Sequence, residues 1–199
     1  MSTKRKDYTD RLLEQETWWK RVLDVQMPYR LHLRRLKLGR VLDVGCGVGR
    51  NLINIRGDAE AIGIDHNPHS VEIARSRGLS AFTPDEFFAS SHARPSHYDS
   101  LLLSHVAEHM RLEEAIALLE VYLPCLRPGG RVIIITPQEA GYRSDETHVE
   151  FIDFEKISAI MEATGLKLLH HYSFPLPRPF GRVFKHNEFV AIGEKSRQP

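Results

Sequence analysis

The stretch RVLDVGCGVGRNL, Arg40 to Leu52, decides how this chain reads. A short apolar run ends at three alternating glycines, Gly45, Gly47 and Gly49, and a helix-like segment follows. A strand, turn and helix in this order let a ligand approach the backbone, because a Cβ at those positions would hold it away. An acid follows at the matching place. Asp65 closes the next apolar run, AEAIGID (59–65), 20 residues after Gly45, where a carboxylate can hydrogen-bond ribose hydroxyls.

Outward from that turn, the chain alternates strand and helix. Residues 8–37 have helical spacing with a break at Pro28, and Pro68 to Arg77 forms a helix that ends at Gly78. LSAFT (79–83), YDSLLLSHV (98–106) and RVIIIT (131–136) read as strands. An amphipathic helix, LEEAIALLEVYLPCL, stops at RPGG, and FEKISAIMEATG is a helix stopped by Gly165. LKLLHHYSF and HNEFVAIGEK close the chain as strands with no helix between them, so one of the two runs antiparallel. The alternation predicts an α/β fold with a mostly parallel sheet covered on both faces. Ligands bind such sheets beyond the carboxyl ends of the strands.

Composition narrows the class. The 199 residues suit one domain, 42% of them are apolar, and the net charge of +1 lacks the basic excess of nucleic-acid binders. The two cysteines, Cys46 and Cys125, form no metal-finger spacing, and no apolar run is long enough for a membrane span. A reduced, cytoplasmic enzyme is expected, and nothing in the sequence sets an oligomeric state.

The glycine spacing discriminates between ligands. A dinucleotide turn needs G-x-G-x-x-G, yet Arg50 stands at its last glycine, and the pattern here is G-x-G-x-G. Asp43, two residues before Gly45, would repel a pyrophosphate and suits a ligand that carries an ammonium and a sulfonium.

VLDVGCGVGRNL, AIGIDHN, YDSLLLSHVAEHM and LRPGGRVIIITPQ, in this order, resemble the successive motifs of class I S-adenosylmethionine-dependent methyltransferases over about residues 38–165. The resemblance implies a Rossmann-like, doubly wound sheet of seven strands with a reversed last strand. It divides the chain into an N-terminal helical cap, 1–37, and a methyltransferase domain, 38–199. It places Asp43, Gly45, Cys46, Gly47 and Gly49 along the methionine part of S-adenosyl-L-methionine, Asp65 on the ribose and His66 beside the adenine. Ser104 joins these contacts, and Asp85 or Glu86 in TPDEFF is placed near the adenine amine, with Asp85 preferred.

SHVAEHM sets His105, Glu108 and His109 just past the fourth strand, on one face if a helical turn begins there. His148, in ETHVEFIDF, follows the fifth strand. Imidazole and carboxylate are what a divalent metal takes. The set resembles the E-x-x-E-H pattern of small-RNA 2′-O-methyltransferases and ubiquinone-pathway O-methyltransferases, with His105 in place of the first acid. That exchange favours Zn²⁺ over Mg²⁺ among His105, Glu108, His109 and His148. Without metal, His105 or His148 serves as the catalytic base.

Specificity is expected from the N-terminal helices, with Trp18 and Trp19, and from the Pro-rich segment 175–186. That segment and its start combine Phe174, Phe180 and Phe184 with Arg178, Arg182 and Lys185. They suit an apolar anionic acceptor, stacked bases, or merely a stiff crossover. The expected activity is methyl transfer to a small-molecule or lipid-like acceptor at oxygen. A metal-assisted 2′-O-methyltransferase on RNA and a non-catalytic cofactor-binding regulator are the alternatives.

Overall fold

The computed structural model describes residues 27–57 and 60–197, and the expected helices before residue 27, Trp18 and Trp19 included, lie outside them. The chain divides into two compact units, Met1–Ala93 and Arg94–Pro199.

In the first unit, α1 (Met27–Arg35) is the described part of the expected cap, with Pro28 in its first turn, where the missing N–H costs nothing. Three strands, β1 (Arg40–Val44), β2 (Glu60–Ile64) and β3 (Ala81–Phe82), pair in parallel. Between them run α2 (Arg50–Asn54) and α3 (Pro68–Ser76). Val41, Leu42, Val44, Ile62 and Ile64 are buried, as the continuous apolar runs require of a sheet covered on both faces. Cys46, Leu52, Val71, Ala74 and Ala81 form a cluster that locks the turn against α3. Asn67 starts α3 by accepting the His69 N–H at 3.1 Å. The segment after β3 holds a helix that the sequence reading passed over, α4 (Pro84–Ala89), begun by a capping box of Thr83 and Glu86.

The second unit contains β4 (Tyr98–Ser104), a 3₁₀ turn at Ala107–His109, α5 (Leu112–Tyr122) and β5 (Leu126–Pro137). There follow α6 (Glu139–Tyr142), α7 (Phe154–Ala163), β6 (Leu166–Phe174) and β7 (Glu188–Lys195). β5 begins before the expected residue 131, because Leu126 pairs with the buried Tyr98 and an irregularity absorbs RPGG before Ser100 meets Arg131. β7 is antiparallel to both β5 and β6, which makes it the reversed strand. The seven strands take the order β3-β2-β1-β4-β5-β7-β6, the Rossmann-like arrangement expected from the motifs. The neighbours His170 and His171 of β6 are both exposed, because a register shift between Leu168 and His170 breaks the two-residue period.

Fully buried Phe87, Phe189, Leu101, Leu102 and Ile133 anchor the sheet and its covering helices, each such side chain contributing about 1.5–3 kcal/mol. Among the described residues no helix is long and apolar enough to cross a membrane.

Candidate active site

The glycine turn of the first unit is built by its φ angles. Gly45, Gly47 and Gly49 stand at φ 80, 53 and 85°, a region that L side chains rarely enter. At Gly49 an added Cβ would also lie 2.2 Å from Leu79 Cδ1. The turn spends its own donors internally. The Gly45 and Cys46 N–H groups donate to Ile64 O at 2.7 and 2.9 Å, and the Gly47 N–H donates to Asp65 Oδ2 at 2.8 Å. These three donors are occupied, so the turn is a poor phosphate cradle and a pyrophosphate ligand is disfavoured.

Asp43 supplies the opposite preference. It is fully buried, and among the described residues neither carboxylate oxygen has a hydrogen-bond partner of good geometry. Burial drives its pKa from 3.8 up to about 7, the nearby Asn51 amide offsets part of that, and the Asp65 charge adds to it. A buried acid left without partners is suited to a cationic ligand. The ammonium and sulfonium of S-adenosylmethionine fit this donor set. Burial likewise pushes the Cys46 thiol far up, so Cys46 is an inert small side chain in the turn.

Asp65 does more than the sequence suggests. Its Oδ2 braces the Gly47 N–H and its Oδ1 accepts the Asn67 N–H at 2.8 Å, so it shapes the turn and keeps spare lone pairs for a ribose. His66 beside it is largely exposed, its Nδ1 3.8 Å from Asp65 Oδ1. Of the two acids after β3, Glu86 is already occupied. It accepts from Thr83 N–H at 2.8 Å and Arg75 Nη2 at 2.7 Å, and its pKa falls to about 2 chiefly through the bond from Arg75. Asp85 is exposed in the first turn of α4.

In the second unit, Ser104 ends β4, half-buried, and the chain then turns sharply. His105 takes φ 58°, a left-handed conformation rare for a residue with a Cβ and one that marks strain. The expected α-helical turn is instead a short 3₁₀ turn, Ala107–His109, and His105 lies outside it. Both His105 nitrogens face carboxylates: Nδ1 is 3.1 Å from Glu108 Oε1, and Nε2 is 2.9 Å from Glu188 Oε1. Desolvation pulls the ring's pKa down, but these two hydrogen bonds and their charges outweigh it and raise it to about 10. The side chain stays 45% exposed, so screening trims the energy of the pairing. With both ring nitrogens engaged by carboxylates, His105 offers no free nitrogen of the kind expected of a ligand or base.

The remaining three residues do come together. Glu108, His109 and His148 present ligand atoms within 4.8 Å of one another. Glu108 is fully buried, and its Oε2 has no hydrogen-bond partner among the described residues. His148 Nδ1 donates to Tyr142 O at 2.7 Å, and His109 Nδ1 faces Thr147 O at 3.3 Å. A carbonyl only accepts, so the proton of each contact lies on Nδ1, and His109 Nδ1 also lies 3.3 Å from Thr147 Oγ1; a metal-ligating histidine is oriented by such a bond from its other nitrogen. Desolvation, opposed by the Glu108 charge and aided by His148, lowers the His109 pKa. The two rings meet at 61° with centroids 4.9 Å apart, and Tyr142 stacks on His148. A small cleft lined by Glu139, Tyr142, Arg143 and Phe151 opens alongside Tyr142.

Glu188 was missed in the sequence. The signal was an acid at the head of an otherwise apolar strand, since a buried carboxylate demands a partner.

Comparison with known proteins identifies the domain. A model of the methyltransferase domain matches residues 26–171. The chain is 28% identical over 114 residues to a tRNA U34 carboxymethyltransferase of Pseudoalteromonas translucida (strain TAC 125), covering 53% of this chain. It spans about a third of that curated relative, 34%. Its fold matches a SAM-dependent methyltransferase of Archaeoglobus fulgidus at TM-score 0.66, with 19% identity over 90% of this chain and 100% of the other. It also matches a methyltransferase of Haloferax volcanii in complex with the Trm112 methyltransferase activator, at TM-score 0.67 and 18% identity, covering 87% and 90% of the two chains. With its glycine turn, its buried acid and its strand order, the chain belongs to the methyltransferase domain family of class I S-adenosylmethionine-dependent enzymes.

Proposed function

We propose that this chain transfers a methyl group from S-adenosyl-L-methionine to a hydroxyl of a small-molecule or lipid-like acceptor, with a divalent cation held by Glu108, His109 and His148. The observation that carries the reading is the convergence of two imidazoles on a buried carboxylate whose Oε2 has no hydrogen-bond partner among the described residues. Two histidines and one carboxylate form a set that zinc takes. The cation, when bound, would lower the pKa of an acceptor hydroxyl. Asp43 and the glycine turn would hold the methionine portion, Asp65 the ribose and Asp85 the adenine edge. His105, fixed as a cation by Glu108 and Glu188, holds Glu108 Oε1 and leaves Oε2 to the ligand.

The tRNA-modifying relative supports a second reading, methyl transfer to a 2′-hydroxyl of RNA. One assay separates them. Transfer of radiolabelled methyl from the cofactor is followed across a panel of phenols, hydroxylated lipids and single-stranded RNA, with and without chelator. Chelator-sensitive labelling of a small or lipid hydroxyl, lost in His148→Ala, is the expected result. Labelling of RNA alone selects the second reading, and labelling unaffected by chelator removes the metal from the account.

A further inference from the structure

The loop between β6 and β7 has a polar inner side that is fully anchored and an outer side that is apolar and basic. On the inner side, Gln138 and Asn187 are both completely buried. Asn187 Nδ2 donates to Gln138 Oε1 at 2.9 Å, and Asn187 Oδ1 accepts the Leu176 N–H at 2.8 Å. Gln138 Nε2 donates to Ser173 Oγ at 2.8 Å and Glu188 O at 2.9 Å. Gly181 packs so closely on Gln138 that a Cβ there would collide with it. Arg178 is tied down as well, paired with both oxygens of Glu139 and lying 4.7 Å above the Phe189 ring.

Held this way, the loop cannot fold its apolar side chains inward. Leu176, Phe180 and Val183 are exposed, Val183 to 81% and Phe180 to 49%. Phe180 lies within a 3₁₀ turn (Arg178–Arg182), and Val183 follows the turn directly. Arg182 and Lys185 are exposed beside them, and the exposed Arg143 joins them through its Nη2 bond to Arg182 O at 3.1 Å. From Ser173 to Asn187 there is no acidic residue.

We propose that this loop docks the protein on the surface of an anionic lipid bilayer, with Leu176, Phe180 and Val183 entering the headgroup boundary and Arg143, Arg182 and Lys185 facing lipid phosphates. Apolar tips ringed by cations are the chemistry of interfacial binding. Two of the three exposed apolar side chains are aliphatic, which serves acyl chains and leaves Phe180 as the one ring among them for a base to stack on, so the observations favour a bilayer over single-stranded RNA. The inference does not depend on methyl transfer or on the metal cluster.

The test is co-sedimentation of the full chain with vesicles of phosphatidylcholine containing phosphatidylglycerol, compared with phosphatidylcholine alone, over a range of salt. Binding to the anionic vesicles alone, weakened by salt, is expected. Arg182→Gln/Lys185→Gln should weaken it by about fivefold for each cation removed. Phe180→Ser/Val183→Ser should weaken it at unchanged salt dependence and unchanged melting temperature. No binding to anionic vesicles overturns the proposal, as does binding that neither pair alters. Binding of an oligouridine that Arg182→Gln/Lys185→Gln abolishes, with vesicles ignored, assigns the surface to nucleic acid instead. A lowered melting temperature in Phe180→Ser/Val183→Ser without vesicle binding by the wild type assigns the patch to packing within the chain.

Discussion

Glu188 Oε1 lies 2.9 Å from His105 Nε2 across 83 residues of sequence, joining the head of β7 to the strained residue after β4. The ring is thereby clamped between two carboxylates, and the Glu108 carboxylate is fixed in turn.

Replacing Glu188 by Gln removes a charge-assisted bond and leaves the imidazolium with one anionic partner. Hydrogen bonds to charged groups contribute about 1.5–3 kcal/mol, and the half-open ring lowers that to about 1–2 kcal/mol here. Urea unfolding should show a lower midpoint at pH 7 with an unchanged slope. An unchanged midpoint would mean that the clamp does not hold the strained turn.

Asp43 predicts a pH dependence of opposite sense to the usual carboxylate. Its folded pKa of about 7 stands above the ordinary 3.8, so the folded state binds the proton more tightly. Between about pH 4 and 7 the native protein carries more protons than the unfolded chain, and its stability falls as pH rises through that window. At about 1.36 kcal/mol for each pKa unit, the loss is at most about 4 kcal/mol. Asp43→Asn should therefore melt higher than the wild type at pH 8 and near it at pH 4, while binding S-adenosylmethionine more weakly. Thermal melts at the two pH values check this, and a variant destabilised at pH 8 would contradict it.

Gly49 stands at φ 85° with no room for a side chain beside Leu79. Gly49→Ala should cost about 2–4 kcal/mol, part from the left-handed backbone and part from overpacking. Adding Leu79→Ala to that variant relieves only the collision. In a double-mutant cycle the two substitutions should therefore couple favourably, with the backbone cost remaining. Simple additivity would show that no collision exists.

Asp65→Asn leaves a single acceptor oxygen for two N–H groups, Gly47 and Asn67, and turns an amide donor toward one of them. The unsatisfied donor should cost about 1–3 kcal/mol of stability. Calorimetric affinity for S-adenosylhomocysteine should also fall by at least about tenfold. Unchanged affinity would place the ribose elsewhere.

How much of this was legible in the sequence follows from the range of each interaction. The strands at 98–104 and 131–136 could be read because their apolar runs report burial on both faces residue by residue. The glycine turn could be read because φ near 80° selects glycine locally. The start of β5 at Leu126 could not, since it depends on pairing with Tyr98, nor could the 3₁₀ turn that removes His105 from the ligand group. His109 and His148 were named from their places after two strands, yet the Thr147 and Tyr142 carbonyls that orient the two rings are tertiary contacts, which no spacing reveals. The partner of His105 at Glu188 is a contact between distant strands, and only the oddity of a buried acid pointed toward it.

The most direct measurement is calorimetric titration of the chelator-stripped full chain with Zn²⁺, alongside His109→Ala, His148→Ala and His105→Gln. The proposed set of Glu108, His109 and His148 predicts one saturable site in the wild type, lost in His109→Ala and His148→Ala and kept in His105→Gln. The absence of a saturable site, or one that persists in His148→Ala, would contradict it.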